Sequence, residues 1–303
     1  MKKLFVMTLA VAALASCSKV EPIEPGYKSA IGFDKSFVDN STKALIEDAD
    51  DLLNFKVWGT ENGVSIFNAT DVTRADKDSD WGYTDARYWH ANSDYSFAAI
   101  APSVHSLTDI LPDNGLPSTA TYTLAATDQV DLLYATAEVV DVDENRTDPV
   151  EFTFAHQLAK VKFEITNGYP ANYTVEISDL KIKASKSAKV TFPGAWSNHA
   201  DLADPVTLSF TITNPIATGA AGNSTENLII PKGNDVVYTI EGTATVKLNG
   251  TEVKTINIAH NLADVLQAGH FYNITATIKS TNKIKFTVKE VTGWNNPAEN
   301  IAM

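Results

Sequence analysis

The sequence predicts an all-β protein built as two β-sandwich domains in tandem. Apolar residues recur at every second position in short runs bounded by Gly, Pro, Asn and Asp, the period of half-buried strands. Helical periodicity is poor and confined to two short segments. The chain has 303 residues, 44% of them hydrophobic, enough for about two cores. Short strands without long helices make sandwiches.

Residues 1–17 have the layout of an export signal. Lys2 and Lys3 precede an apolar run from Leu4 to Leu14, shorter than the roughly 20 residues of a membrane span. The run ends in Leu14-Ala15-Ser16-Cys17, which resembles the lipobox of bacterial lipoproteins and implies acylation of Cys17. Cys17 is the only cysteine, which excludes disulfides and Cys-rich metal sites. Residues 18–28 carry two prolines and a glycine and read as an extended tether. Ordered structure is expected from about Ile31 and Phe33.

A first domain is assigned to residues 29–147 and a second to 148–303, with the turn-rich stretch Asp141–Pro149 at the junction. Leu45–Asn54 is expected to form a turn or two of helix. A second helix is expected over Asn261–Gln267, with Asn261 as N-cap and Gly269 just past the end. Leu208, Phe210 and Ile212 form one inward row of a strand, and Tyr272, Ile274, Ala276 and Ile278 another. Ile284, Phe286 and Val288 form a third. Asn249-Gly250 is a type I′ hairpin signal, because both residues tolerate positive φ. Over residues 152–165 the apolar parity switches. Phe152, Phe154, His156 and Leu158 share one parity; Val161, Phe163 and Ile165 share the other. Either a β-bulge or two strands with a sharp bend produces that switch. His156 lies on the apolar side, the place of a buried neutral imidazole with one hydrogen-bonded nitrogen; a metal or catalytic role is the alternative.

The net charge of −13 argues against nucleic acid as a partner, since acidic surfaces repel phosphate backbones. Gly-x-Ser-x-Gly, His-Glu-x-x-His, Walker and Gly-x-Gly-x-x-Gly motifs are all missing, and none of the six histidines forms a metal-spaced pair. The chain therefore reads as a non-enzyme with no cofactor and no metal. In the aromatic cluster Trp81, Tyr83, Tyr88, Trp89 and Tyr95, Trp81 and Trp89 are the candidate ligand contacts, because flat rings stack on sugars and favour interfaces; the preferred reading is that Trp89, Tyr95 and Phe97 pack the first domain.

The segment Phe152-Thr-Phe-Ala-His-Gln-Leu-Ala-Lys-Val-Lys-Phe-Glu-Ile resembles a motif of the fimbrillin-like (Mfa-like) surface proteins of Bacteroidales. Asp131-Leu-Leu-Tyr-Ala, Ala268-Gly-His-Phe-Tyr-Asn-Ile-Thr-Ala-Thr-Ile, Ile284–Trp294 and the lipobox are similar to other parts of that family's pattern. Thr42-Lys43-Ala44 stands where relatives often carry Thr-Arg-Ala. The resemblance implies transthyretin-like sandwiches and a structural or adhesive subunit of type V fimbriae at the outer membrane and cell surface. It implies export as a lipoprotein, then cleavage by a trypsin-like protease that removes the first strand. Strand addition from another subunit fills the groove. Here the displaced strand would carry Ile31 and Phe33. Lys43–Ala44 would be the scissile bond, with Arg74–Ala75 the second choice. The segment after Trp294 is polar, contains Pro297 and makes a poor donor strand, which favours a tip or accessory subunit over a shaft subunit. Expected partners are other fimbrial subunits, the membrane through lipid, and a surface receptor. The alternative is a glycan-binding surface lipoprotein that never polymerises.

Overall fold

The computed structural model describes residues 29–38, 52–280 and 284–291. Among these residues there are strands, turns and short connections but no helix. The first eight strands are β1 (Phe33–Val38), β2 (Asn54–Glu61), β3 (Val64–Thr73), β4 (Tyr95–Ala101), β5 (Leu107–Asp113), β6 (Leu116–Thr123), β7 (Leu133–Val139) and β8 (Val150–His156). There follow β9 (Ala159–Asn167), β10 (Tyr173–Ala184), β11 (Ser187–Thr191), β12 (Ala195–Ser197), β13 (Val206–Ser209) and β14 (Ile216–Ala217). The last are β15 (Ala221–Asn223), β16 (Asn227–Ile229), β17 (Tyr238–Leu248), β18 (Thr251–Leu262), β19 (Phe271–Ile278) and β20 (Phe286–Val291).

They form four sheets, paired as sandwiches in tandem. The N-terminal half holds a six-stranded sheet of order β1-β8-β7-β4-β2-β3 and a four-stranded sheet β12-β11-β6-β5. The C-terminal half holds β13-β10-β17-β18, with β14 also on β10, and β15-β9-β19-β20, with β16 also on β9. Two pairings are parallel, β1 with β8 and β19 with β9. The hairpin β11–β12 leaves the C-terminal half after β10 and adds to β6, so it acts as an arm from one sandwich to the other.

The six-stranded sheet is buried on both faces, and the sequence of β4 shows it. Phe97 and Ala99 face one cluster with Phe55, Val57, Phe67 and Phe154. Ala98 and Ile100 face the other, with Trp58, Tyr122 and Ala188, which continues without a break into the C-terminal core. A strand covered on both sides reads as an apolar run rather than an alternation.

The expected rows hold where they pair with neighbours. Tyr272, Ile274, Ala276 and Ile278 are all buried on β19. Leu208, Phe210 and Ile212 are buried, although β13 ends at Ser209. Asn249 (φ 50°) and Gly250 (φ 83°) make the hairpin between β17 and β18, as their tolerance of positive φ requires. The expected helix over Asn261–Gln267 is absent. β18 runs on through Leu262, which pairs with Tyr238, and Leu266 forms a bridge with Lys232. The alternation Ile256, Ile258, Leu262 buries one face against the sheet, and ladder bonds to β17 outweigh local capping signals. Of Leu45–Asn54, the part before Leu52 lies outside the described residues, and Asn54 opens β2.

The parity switch resolves into two strands with a bend. β8 ends at His156 and β9 begins at Ala159, and Gln157–Leu158 carry the chain from one sheet to the other. Asp141–Pro149 links β7 to β8, neighbours in the same sheet, and buries Val142. At the bend His156 Nδ1 donates to Asp131 Oδ2 at 2.6 Å, and both side chains are fully buried. Asp131 Oδ1 accepts the Leu132 N–H at 2.8 Å, and Gln157 N–H donates to the Leu132 carbonyl at 2.7 Å. The end of β8 is thus fastened to the start of β7.

Two outcomes follow from this packing. A Cβ added at Gly59 would lie 2.7 Å from Phe97 Cδ1 and 3.0 Å from Phe67 Cδ2. Gly59→Ala should therefore cost about 1–3 kcal/mol in urea unfolding, the penalty of overpacking; an unchanged midpoint would refute the tight fit. Burial holds the His105 imidazole below its ordinary value of 6.5, and the Lys56 charge acts in the same direction. The folded state then binds that proton less tightly than the unfolded chain. As pH falls through 6.5 the unfolded chain is protonated first and stability declines. His105→Asn should flatten the acid limb of Tm against pH; an unaltered limb would assign it to other groups.

Candidate functional site

The edge strand β1 is held differently from every other edge. It runs parallel to β8, with Phe33 opposite Val150 and Val38 opposite Phe154. On its other side β8 pairs with β7 only at Leu133–His156 and Tyr134–Ala155. Beyond those two pairs the ladder stops, and an open pocket of about 470 Å3 lies beside Ala137–Val139, Val150–Glu151 and Asp34. Among the described residues, β1 is the one strand laddered to Val150–Phe154.

Ile31 and Phe33 are both buried, at 0% and 5% exposure. Phe33 sits among five aromatic rings: Phe55, Phe67, Tyr83, Phe97 and Phe152, at centroid distances of 5.6 to 6.4 Å. Four of the contacts are edge-on and Phe152 is stacked, both favourable arrangements. Burying these two side chains contributes roughly 1.5–3 kcal/mol each. Backbone and polar contacts complete the grip. Ile31 N–H donates to Arg87 O at 2.7 Å, Trp89 N–H to Ser29 O at 3.1 Å and Val150 N–H to Gly32 O at 2.8 Å. The Tyr83 hydroxyl donates to Ile31 O at 2.7 Å. Burial pushes the Tyr83 phenol above its ordinary value, so it stays a donor at neutral pH. The Ser29 hydroxyl donates to the Arg146 carbonyl. The segment 29–38 thus lies in a groove with an aromatic slot, walled by β8 and by residues 83–89.

The other residues marked in the sequence fall as follows. Cys17, Lys43, Ala44 and Trp294 lie outside the described residues. Arg74 and Ala75 follow β3. Arg74 Nε donates to Leu52 O at 2.8 Å, and its guanidinium lies over the Trp81 ring at 4.7 Å. Trp81 also packs on Phe55 at 4.9 Å. Trp89 is 3% exposed, lies edge-on to Tyr95 at 4.8 Å and is covered by the Arg146 guanidinium at 4.8 Å. These tryptophans roof the first core and are occupied by protein neighbours. No group of three His, Cys, Asp or Glu side chains that could hold a metal occurs among the described residues. No described helix is long and apolar enough to cross a membrane. Sequence reasoning missed Tyr83, Phe55, Phe67, Phe97 and Phe152 as the lining of the slot. Phe152 stood in an apolar row, Tyr83 in the aromatic cluster and Phe97 among the core candidates, whereas Phe55 and Phe67 carried only the density of aromatics in the first half.

A sequence profile described as fimbrillin-like matches residues 42–294. The chain belongs to the fimbrillin-like family. Membership places it among fimbrial and adhesin-like proteins of the cell surface, whose role is structural. None of the curated proteins matches this fimbrillin-like sequence. Among solved structures, a candidate cell adhesion protein from Bacteroides ovatus is similar at 14% identity, over 91% of this chain and 100% of that one, with TM-score 0.53. One from Bacteroides uniformis shares 18% identity over 89% and 99% of the two chains, with TM-score 0.49. The fimbrial anchor protein Mfa2 from Porphyromonas gingivalis shares 11% over 86% and 96%, with TM-score 0.41. At these identities the Bacteroides ovatus likeness speaks for the fold.

The slot makes a measurable demand on β1. Phe33→Ala should lower stability by about 3–5 kcal/mol, the scale of Phe-to-Ala truncation in a core. Amide exchange should rise at Val150–Phe154. Unchanged exchange there would show that β8 does not depend on β1.

Proposed function

We propose that the protein is a fimbrial subunit, exported as a lipoprotein through Cys17 and assembled by protease-triggered strand exchange, in which β1 is displaced. One observation carries the reading: β1 alone ladders Val150–Phe154 and fills the aromatic slot. Without β1, that stretch of β8 would lose the one ladder it makes among the described residues, and an apolar groove would stand open. An incoming strand satisfies both needs at once.

The scissile bond in this reading is Lys43–Ala44. Val38 and Asn54 lie at the same end of the six-stranded sheet, so a cut between them frees β1 and leaves β2 and β3 attached. A cut at Arg74–Ala75 would also detach β2 and β3, with the core residues Phe55, Val57, Phe67 and Val72. The engaged Arg74 side chain opposes that cut as well. A tip or accessory position, in which a subunit accepts a strand, needs only the β1 groove. A glycan-binding role through Trp81 and Trp89 has less support, because protein groups already occupy both rings.

Limited trypsin treatment tests the reading. Wild type should yield a new N-terminus at Ala44, and Lys43→Ala should resist. A labelled peptide of residues 29–38 should then enter the cut protein but not the intact one. A clean cut with no peptide uptake and an unchanged monomer by native gel would sink strand exchange.

A further inference from the structure

The ladder of β1 on β8 is imperfect, and its flaw lies at the aromatic slot. Phe33 pairs with Val150 and Asp34 with Glu151, then Phe37 with Thr153 and Val38 with Phe154. Between the two sets Lys35 and Ser36 both stand against Phe152, one residue more than an unbroken parallel ladder holds. Such a bulge leaves a residue unpaired and interrupts the ladder, and it is rare between parallel strands.

The sequence of β1 supplies the reason. Ile31, Phe33, Lys35 and Phe37 share one parity, so a lysine interrupts an apolar row. On β8 the core side is held by Val150, Phe152 and Phe154, while Glu151 and Thr153 are exposed. An unbroken register would place Lys35 opposite Phe152 and Phe37 opposite Phe154. Phe152 is fully buried, and its ring lies 5.9, 5.7 and 5.8 Å from those of Phe33, Phe55 and Phe154. An ammonium brought among those rings would lose its water, and attraction to ring faces offsets only part of that loss. The extra residue avoids that placement, but it moves Phe37 opposite the exposed Thr153. β1 thus fits its groove as far as Asp34 and then loses step with it.

We propose that β1 is a mismatched occupant of its groove, and that the strand the groove fits best comes from another subunit, runs parallel to β8 and carries uncharged apolar residues at four successive core-side places, those of Ile31, Phe33, Lys35 and Phe37. Such a strand needs no bulge. It ladders Val150 through Phe154 without a gap and brings apolar side chains to the two places that β1 leaves unfilled. Selection between the two strands is a difference of affinities, and the lysine sets it against β1. That the occupant is a strand of another subunit rests on the strand-exchange reading; the mismatch is a property of the uncut chain.

Two measurements test the two parts separately. In the uncut full chain, Lys35→Ile should slow amide exchange at Val150–Phe154 by about tenfold or more, the scale of burying one apolar side chain. Lys35→Arg should leave exchange there as in wild type. After trypsin has cut the wild-type protein and has been inhibited, the labelled peptide of residues 29–38 and its Lys35→Ile counterpart compete for the cut protein. The Lys35→Ile peptide should win at about a tenfold lower concentration. Exchange not slowed by Lys35→Ile, or slowed equally by Lys35→Arg, would overturn the mismatch, and so would equal affinity of the two peptides. Slower exchange in Lys35→Ile with uptake of neither peptide would uphold the mismatch and sink strand exchange.

Discussion

The buried contact between Asp131 and His156 holds the point from which the architecture is laid out. Two polar side chains are removed from water there, a loss offset only if each finds its partner. The contact fastens β8 to β7 at the one place where the two strands pair. On one side of it Val150, Phe152 and Phe154 serve the first core. On the other, Leu158, Val161, Phe163 and Ile165 serve the second. The chain can change sheets within two residues because its backbone is anchored at the bend by Gln157 N–H on Leu132 O and by Trp196 Nε1–H on Gln157 O.

The same anchoring explains the edge. Since β8 ladders to β7 only at the bend, the far part of β8 relies on β1. The sheet therefore has a terminal strand whose loss is felt by its neighbour more than at an ordinary edge. Parallel pairing requires a long connection between the partners. Residues 39–149 separate them here, so β1 is held by its ladder to β8, by the burial of Phe33 and by the grip of Tyr83, Arg87 and Trp89 on the residues just before it. A strand held in that manner is suited to replacement by another of similar shape, which is the physical core of the fimbrial reading.

The β11–β12 arm does the opposite work. It brings Ala188 to the second face of the six-stranded sheet, within the one continuous apolar cluster that joins the two halves. His199 locks it to the loop around Asp235, whose carboxyl is raised by burial but held below its ordinary value overall by the His199 hydrogen bond, its own backbone and the His199 and Lys232 charges. The N-terminal edge thus rests on one strand against β8, while the opposite junction is tied down.

Much of the fold was legible in the sequence. The alternation in β17, β18 and β19, the Asn249-Gly250 hairpin and the parity switch after His156 are local patterns, and strand formation by half-buried residues obeys local periodicity. Ile31 and Phe33 were legible as core positions for the same reason. The helix expected at Asn261–Gln267 failed because capping signals weigh little against a ladder to a distant strand. The parallel register of β1 on β8, the reach of the arm to β6, and the hydrogen bond of Trp196 to Gln157 could not be read from the chain. Each depends on which of many apolar faces meet, and that choice is set by burial summed over the whole molecule, to which no single segment holds the key.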